Sequence, residues 1–391
     1  MSELPLSHIR VIDLSRVRAG PNCTKFFADF GADVIKVEQV DGRGDPMADN
    51  RYSSDYVNSN RNKRGITLDL KKPEGIAILK RLVEKADVLV ENFRPDVKHR
   101  LGIDYEAMAA VNPRLVYTSI SAFGETGPYA HRPGFDLIAQ GMGGLMWLTG
   151  YEGSGPLRVG ISPADLSAGI FASMGTMIAL LERERSGRGQ WVKTSLLASQ
   201  IMLLDYQAMQ WLMDKKIPKQ RGNDHPQIVP TGVYRSSDGY FTLSTVGNDS
   251  YLRLCKAIEA PALASDPRFA TAELREKNRD AMNAAIDVAT SKKTSAEWVE
   301  IINRAGVPAG PIYKLDEMFA DPQVKLTGIA QPLDHPKLGT VEIVGQPIAM
   351  SRTPAQFRRA PPELGEHTDE VMAEHGYSKA EIAALRRDKI V

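Results

Sequence analysis

The chain has 391 residues, 42% of them hydrophobic and 25% charged, which is the make-up of a soluble globular protein too long for one small core. Lys and Arg (49) nearly balance Asp and Glu (48), for a net charge of +1, so charge gives no argument for a nucleic acid or an anionic membrane as partner. The two cysteines, Cys23 and Cys255, are far apart and form no CxxC pair, which argues against a disulfide framework or a zinc site and for a reducing cytoplasm.

The opening, Met1 to Leu6, has no basic segment followed by an apolar run, so no signal peptide is expected. Ile9 to Leu14 reads as a short strand. Ala19 to Gly31 reads as a helix, with Gly31 as its C-cap. Asp33 to Glu38 is a second strand, Asp87 to Glu91 a third and Leu115 to Ile120 a fourth, with a helix near Pro73 to Lys85 between the second and third. Strands alternating with helices predict an α/β fold, a Rossmann-like doubly wound parallel sheet. Such sheets bind ligands at the carboxyl ends of their strands, here the loops 15–21, 38–44, 92–95 and 121–127. Pro163 to Arg185 reads as one long helix, and its most apolar part, Ala168 to Leu181, is too short and too rich in Gly and Ala to span a bilayer. Gln190 to Ser195 is a strand and Leu196 to Met213 a second long helix. The polar stretch 214–230 reads as a linker. A smaller α/β domain follows over 231–329, opening with a hairpin that turns at Asp238-Gly239. Residues 330–391 read as a second linker and a return to the large domain begun by 1–213, ending in a charged helix, Ser378 to Asp388.

The first βα turn reads Ser15-Arg-Val-Arg-Ala-Gly-Pro21, without the G-x-G-x-x-G of a dinucleotide site. The P-loop and the Gly-x-Ser-x-Gly elbow are also absent, and no histidine has metal-ligand spacing, so no metal is expected. Carboxylate chemistry and anion binding remain. In Gly160-Ile-Ser-Pro-Ala-Asp-Leu-Ser-Ala-Gly169, Ser162 fits an N-cap, Pro163 the first helical position and Asp165 the third. The helix dipole and free N–H groups there favour an ionised carboxylate, which serves either as a nucleophile or as a capping acid. The small residues Ser167, Ala168 and Gly169 leave room for a ligand against the backbone. Arg16, Arg18, Lys36, Arg43, Lys63, Arg64, Lys71, Lys72, Arg94 and Arg100 crowd the N-terminal quarter, which suits a ligand with several phosphates.

Several segments together resemble one family: Val11-Ile-Asp-Leu-Ser15, Phe30-Gly-Ala-Asp-Val-Ile-Lys-Val-Glu38, Asn62 to Lys71, Asp87-Val-Leu-Val-Glu-Asn-Phe-Arg-Pro95, Ser119 to Pro128, the Asp165 motif and Leu364-Gly-Glu-His-Thr368. Over nearly its whole length the chain is similar to the class III coenzyme A transferases, the family of formyl-CoA transferase and the carnitine-CoA transferases, with α-methylacyl-CoA racemase a relative. The resemblance implies that Asp165 attacks an acyl-CoA thioester to form an aspartyl anhydride and then an aspartyl-CoA thioester. It implies CoA contacts at Val17, Arg18, Ala19, Gln39, Leu68, Asp69, Leu70, Lys71, Asn92, Phe93, Arg94 and Arg100. It places Asp136 as an acid near the reacting carbonyl. It implies acyl-CoA and a carboxylic acid as substrates, no tightly bound cofactor, and a homodimer of two interlocked rings. Gln39 stands where formyl-CoA transferase has an arginine. Phe135 stands where the racemase has a histidine, which takes away one partner of a two-base racemisation. The glycine-rich loop of formyl-CoA transferase has no counterpart near 221–226, so oxalate and formate are not expected as its acids. The rival readings are an acyl-CoA racemase or epimerase and a CoA-binding protein without activity.

Overall fold

The computed structural model describes residues 4–391. Of the segment expected to lack a signal peptide, residues 1–3 lie outside the described residues. The chain divides into two compact units, one made of residues up to Leu145, Arg158–Lys215 and Lys325–Val391, the other of Met146–Leu157 and Lys216–Val324.

Six strands build the sheet of the first unit: β1 (Arg10–Asp13), β2 (Asp33–Glu38), β3 (Arg64–Thr67), β4 (Val88–Glu91), β5 (Val116–Ser121) and β6 (Trp191–Ser195). All pairs are parallel, in the order β3-β2-β1-β4-β5-β6. The order reverses between β1 and β4, so a crevice opens beyond their carboxyl ends. Alternation along each strand feeds two cores, because successive side chains point to opposite faces. Ile12, Ile35 and Leu89 face one core, with Leu79 and Leu82 of the helix above. Val11, Val34 and Val88 face the other, with Phe27, Ala168 and Ala172. Each large apolar side chain of this kind contributes roughly 1.5–3 kcal/mol on burial.

Five of these strands match the sequence reading. β3 does not, because Arg-Gly-Ile-Thr has one large apolar residue and no alternation to reveal it. It forms because it pairs with β2 and because Gly65 lets Pro362 close in; a Cβ there would lie 2.8 Å from the proline ring.

The helices of this unit that bear on function are α1 (Ala19–Asp29), α2 (Pro73–Val83), α3 (Pro95–Leu101), α4 (Asp136–Met142), α5 (Pro163–Ser186), α6 (Leu196–Met202) and α7 (Tyr206–Asp214). The single helix expected over 196–213 is thus two, divided where Asp205 takes φ +47°. The apolar pattern runs through the division unbroken, so periodicity did not mark it. α5 is long and apolar enough to cross a membrane. Half of its most apolar stretch is buried, with Ala164, Ala168 and Ala172 in the core.

In the second unit, β7 (Thr231–Arg235), β8 (Tyr240–Ser244) and β9 (Ala309–Pro311) form an antiparallel sheet. Helices Gly247–Ala257, Arg279–Thr290 and Ser295–Arg304 cover it around Phe241, Leu254, Met282 and Trp298. The expected linker 214–230 is corrected from Lys216 onward. Its polar groups are used within this unit, Trp147 Nε1 donating to Pro218 O at 3.1 Å and Asn283 Nδ2 to Asp224 Oδ1 at 3.1 Å. The unit also ends at Val324 rather than at 329. The hairpin β10 (Ala330–His335) and β11 (Gly339–Val344) belongs to the first unit, where Leu333 and Ile343 pack on Val57.

Candidate active site

A cavity of about 550 Å³ opens at the carboxyl ends of the sheet in the first unit. The loop after β1 brings Arg16, Val17, Arg18 and Ala19 to it, and the end of β2 brings Gln39. Leu70 and Lys71 follow β3, while Asn92, Phe93, Arg94 and Arg100 follow β4. Asp165 lines the same cavity, as do Gly134 and Phe135. Ten of the twelve residues expected to touch CoA therefore meet on one surface with the expected nucleophile. Leu68 and Asp69 do not. The Leu68 side chain is fully buried in the core, and the Asp69 carboxylate accepts from the Lys71 backbone N–H at 3.0 Å. Ser121 and Ala122 of the expected rim loop also line it, while sequence reading missed Val97, Leu101, Ile120 and Leu196, which complete the lining; they are ordinary apolar residues with no signal of their own. A second cavity of about 450 Å³ shares Leu70, Lys71, Arg100 and Leu101 with the first and continues along α2 past Lys72, Ile76 and Lys80.

Asp165 sits at the third position of α5, as its spacing predicts, with Pro163 at the start and Ser162 before it. The capping is not as predicted. Ser162 makes no side-chain cap. The cap comes from Asp136, whose Oδ1 accepts from the backbone N–H of Ala164 at 2.9 Å and of Asp165 at 3.4 Å. Gln140 holds the other oxygen of Asp136 at 2.6 Å. Asp136 is buried, and its carboxylate is used on the start of α5 and on Gln140.

This arrangement reverses the expected electrostatics of Asp165. Among the described residues no protein group hydrogen-bonds to its carboxylate, because Asp136 has taken the helix donors. Burial and the Asp136 charge raise the Asp165 pKa to about 6, against a smaller lowering by Arg18. The small residues after Asp165 also have a different use. A Cβ on Gly169 would lie 2.7 Å from Ala19 O, and Ala168 is fully buried. They admit α1, not a ligand, and this close approach sets Asp165 beside Arg18 and Ala19.

The rim is cationic. Arg16 lies over the Phe93 ring at 5.3 Å and donates to Gly44 O at 3.1 Å. Arg18 is held by both oxygens of Asp55, at 2.8 and 2.6 Å. Beneath the rim, Lys98 of α3 bridges Glu91 at 2.8 Å and Glu125 at 2.6 Å, all three buried or nearly so. Burial pushes the Glu91 carboxyl up against the pull of Lys98. This buried group ties α3, which carries Arg94 at its cap and Arg100, to the loop that precedes Phe135. Among the described residues, no three His, Cys, Asp or Glu side chains come together to hold a metal.

The sequence profile of CoA-transferase family III matches residues 6–368. The chain belongs to CoA-transferase family III. Succinate–glutarate CoA-transferase of Agrobacterium fabrum is 41% identical over 382 residues, covering 95% of each chain. Succinyl-CoA:glutarate CoA-transferase of Mus musculus is 35% identical, over 95% of this chain and 86% of its own. Among solved structures, a CaiB/BaiF family protein from Brucella suis matches with a TM-score of 0.84 at 36% identity, covering 96% of this chain and all of the other. The protein is thus an enzyme of the CoA-transferase class, and as a family III CoA-transferase it uses a CoA thioester as substrate.

Proposed function

We propose that the protein moves CoA from an acyl-CoA to a free carboxylic acid through covalent intermediates on Asp165. The observation that carries this is a carboxylate without hydrogen-bond partners in the protein, on the wall of a cavity lined by Arg16, Arg94, Arg100 and Lys71. A carboxylate kept out of hydrogen bonds is a better nucleophile than a capped one. Its raised pKa still leaves it mostly ionised at pH 7.

Ionised Asp165 attacks the thioester carbonyl, the C–S bond breaks, and CoA thiolate leaves an acyl-aspartyl anhydride. The thiolate attacks the aspartyl carbonyl of that anhydride and releases the donor acid, leaving an aspartyl-CoA thioester. The acceptor carboxylate then attacks this thioester to form a second anhydride and free the thiolate. Attack of the thiolate on the acceptor's carbonyl gives the new acyl-CoA and restores Asp165. The cationic rim and the second cavity, with Lys72 and Lys80, suit the phosphates of CoA.

For the acceptor we propose a short dicarboxylate. Relatives named for succinate and glutarate support this, as does Arg18, the cation whose charge reaches Asp165. Racemisation is disfavoured because Phe135, where the racemase has a histidine, lines the same cavity as Asp165, and its ring exchanges no proton. We also propose a homodimer, supported by an exposed apolar stripe on α5; its interlocked form rests on the resemblance alone. A cytoplasmic location is supported by two unpaired, buried cysteines.

A panel of acyl-CoA donors against mono- and dicarboxylic acids, read by mass spectrometry, tests the reaction. Hydroxylamine added during turnover should modify the peptide that holds Asp165. Full transfer activity in Asp165→Ala would overturn the nucleophile. CoA binding without transfer on any donor would favour the non-catalytic reading.

A further inference from the structure

The loop between β1 and α1 holds the most constrained backbone on the cavity wall. Val17 has φ +56°, the left-handed region, where a β-branched residue is a genuine outlier. Such strain persists only where the surroundings over-determine it, and it gathers at functional sites. Here the surroundings are specific. The Asn92 side chain accepts from Arg16 N at 3.0 Å and donates to Arg16 O at 2.8 Å, gripping one peptide unit on each side of that residue. Asp45 Oδ1 accepts from Val17 N at 3.1 Å. Its other oxygen lies 3.4 Å from Lys36 Nζ, which in turn donates to Ser15 O at 3.3 Å. Asp45 and Lys36 are buried. The return into α1 is equally tight, since a Cβ on Gly20 would lie 2.2 Å from Ser15 Cβ.

We propose that Asn92 and Asp45 are positioning residues for the CoA site. They hold Val17 in its strained conformation, so that Arg16 and Arg18 on either side of it both reach the cavity. The proposal rests on the CoA-transferase reading. It also changes the role of Asn92, which the family resemblance makes a contact of the ligand. Its amide oxygen and one of its N–H groups are already used on the Arg16 backbone.

The two roles for Asn92 separate in a double-mutant cycle with Asn92→Ala and Val17→Gly, using coenzyme A itself as probe in titration calorimetry. Glycine takes φ +56° without strain and has less need of the clamp. The positioning role predicts that Asn92→Ala weakens CoA binding by about tenfold or more, on the scale of one or two buried hydrogen bonds. It predicts that the double variant binds CoA more tightly than Asn92→Ala alone. The Val17→Gly single variant measures what the isopropyl group itself contributes. A double variant as weak as Asn92→Ala, or an Asn92→Ala protein that binds CoA as well as the parent, would overturn the proposal. Unfolding midpoints of the same four proteins read the clamp without ligand, because residues coupled through one strained turn are non-additive. A parent protein that took up no CoA, together with non-additive midpoints, would sink the reading of this cavity as the CoA site while leaving the clamp in place.

Discussion

An aspartate in the first turn of a helix normally titrates low, and Asp165 is displaced the other way. Its place in the helix was legible, because Ser-Pro-Ala-Asp marks a helix start whatever surrounds it. Its charge state was not, because burial and, after it, the charge of Asp136, 29 residues away, raise the pKa, and both arrive only through tertiary packing. The pH dependence of catalysis follows. The ionised form is the nucleophile, so transfer should fall as pH drops through about 6 rather than near the 3.8 of an ordinary aspartate. Asp136→Asn keeps an oxygen for the Ala164 N–H but removes the charge that raises Asp165. The acid limb of kcat/KM should then move to lower pH, and an unmoved limb would leave burial as the sole cause. Stability should show the same carboxylate with its own sign. A raised folded-state pKa gives stability that is present below the unfolded value and lost as pH climbs through about 6. Asp165→Asn should therefore match the parent near pH ~3.5 and exceed it by about 3 kcal/mol at pH ~7, measured by urea unfolding at both pH values. An equal difference at both would mean that the carboxylate is not the source.

At the scale of elements, the strands with apolar alternation could be read and β3 could not. The order of the sheet is what carries the loops after β1, β2, β3 and β4 to one cavity. The contact that matters most for the site is the packing of α5 on α1, and the sequence misled there. Ser167-Ala168-Gly169 looked like an opening for a ligand because small residues permit any close approach and do not say whose. The structure gives the space to Ala19, and a Cβ on Gly169 has nowhere to go, with Ala19 O at 2.7 Å. Gly169→Ala should thus push the two helices apart. We expect a loss of roughly 1–3 kcal/mol, the usual cost of overpacking a core. We also expect a fall in kcat larger than any loss of folded protein, since Asp165 lies one turn away on the displaced helix. Parallel measurement of urea unfolding and of kcat on the folded fraction checks both. A Gly169→Ala protein with normal stability and normal kcat would mean that this contact does not set the nucleophile.

For the whole molecule, the change of character after residue 213 announced a second unit, but its limits were hidden. Residues 146–157 join it from far upstream, and no local pattern announces a partner so distant in sequence. A larger question is what covers α5. One side of this helix is packed in the core. The other carries Leu166, Ile170, Met174, Ile178 and Leu181, all exposed, at spacings of three and four that form a continuous stripe. α4 and α6 pack against the same helix and add exposed side chains of the same kind, Ile138, Met142, Ile201 and Met202. Apolar surface on this scale is costly to leave in water and marks an interaction surface. A second copy of the chain is the partner proposed above, and homodimer interfaces are apolar in their cores. Ile170→Glu with Ile178→Glu places two charges at the middle of this apolar stripe. Burying them unpaired would cost far more than an apolar contact returns. Light scattering after size-exclusion chromatography should then show a dimer for the parent and a shift to monomer for the double variant. A monomeric parent at micromolar concentration, or a variant that stays dimeric, would mean that this stripe is covered by something other than a second copy.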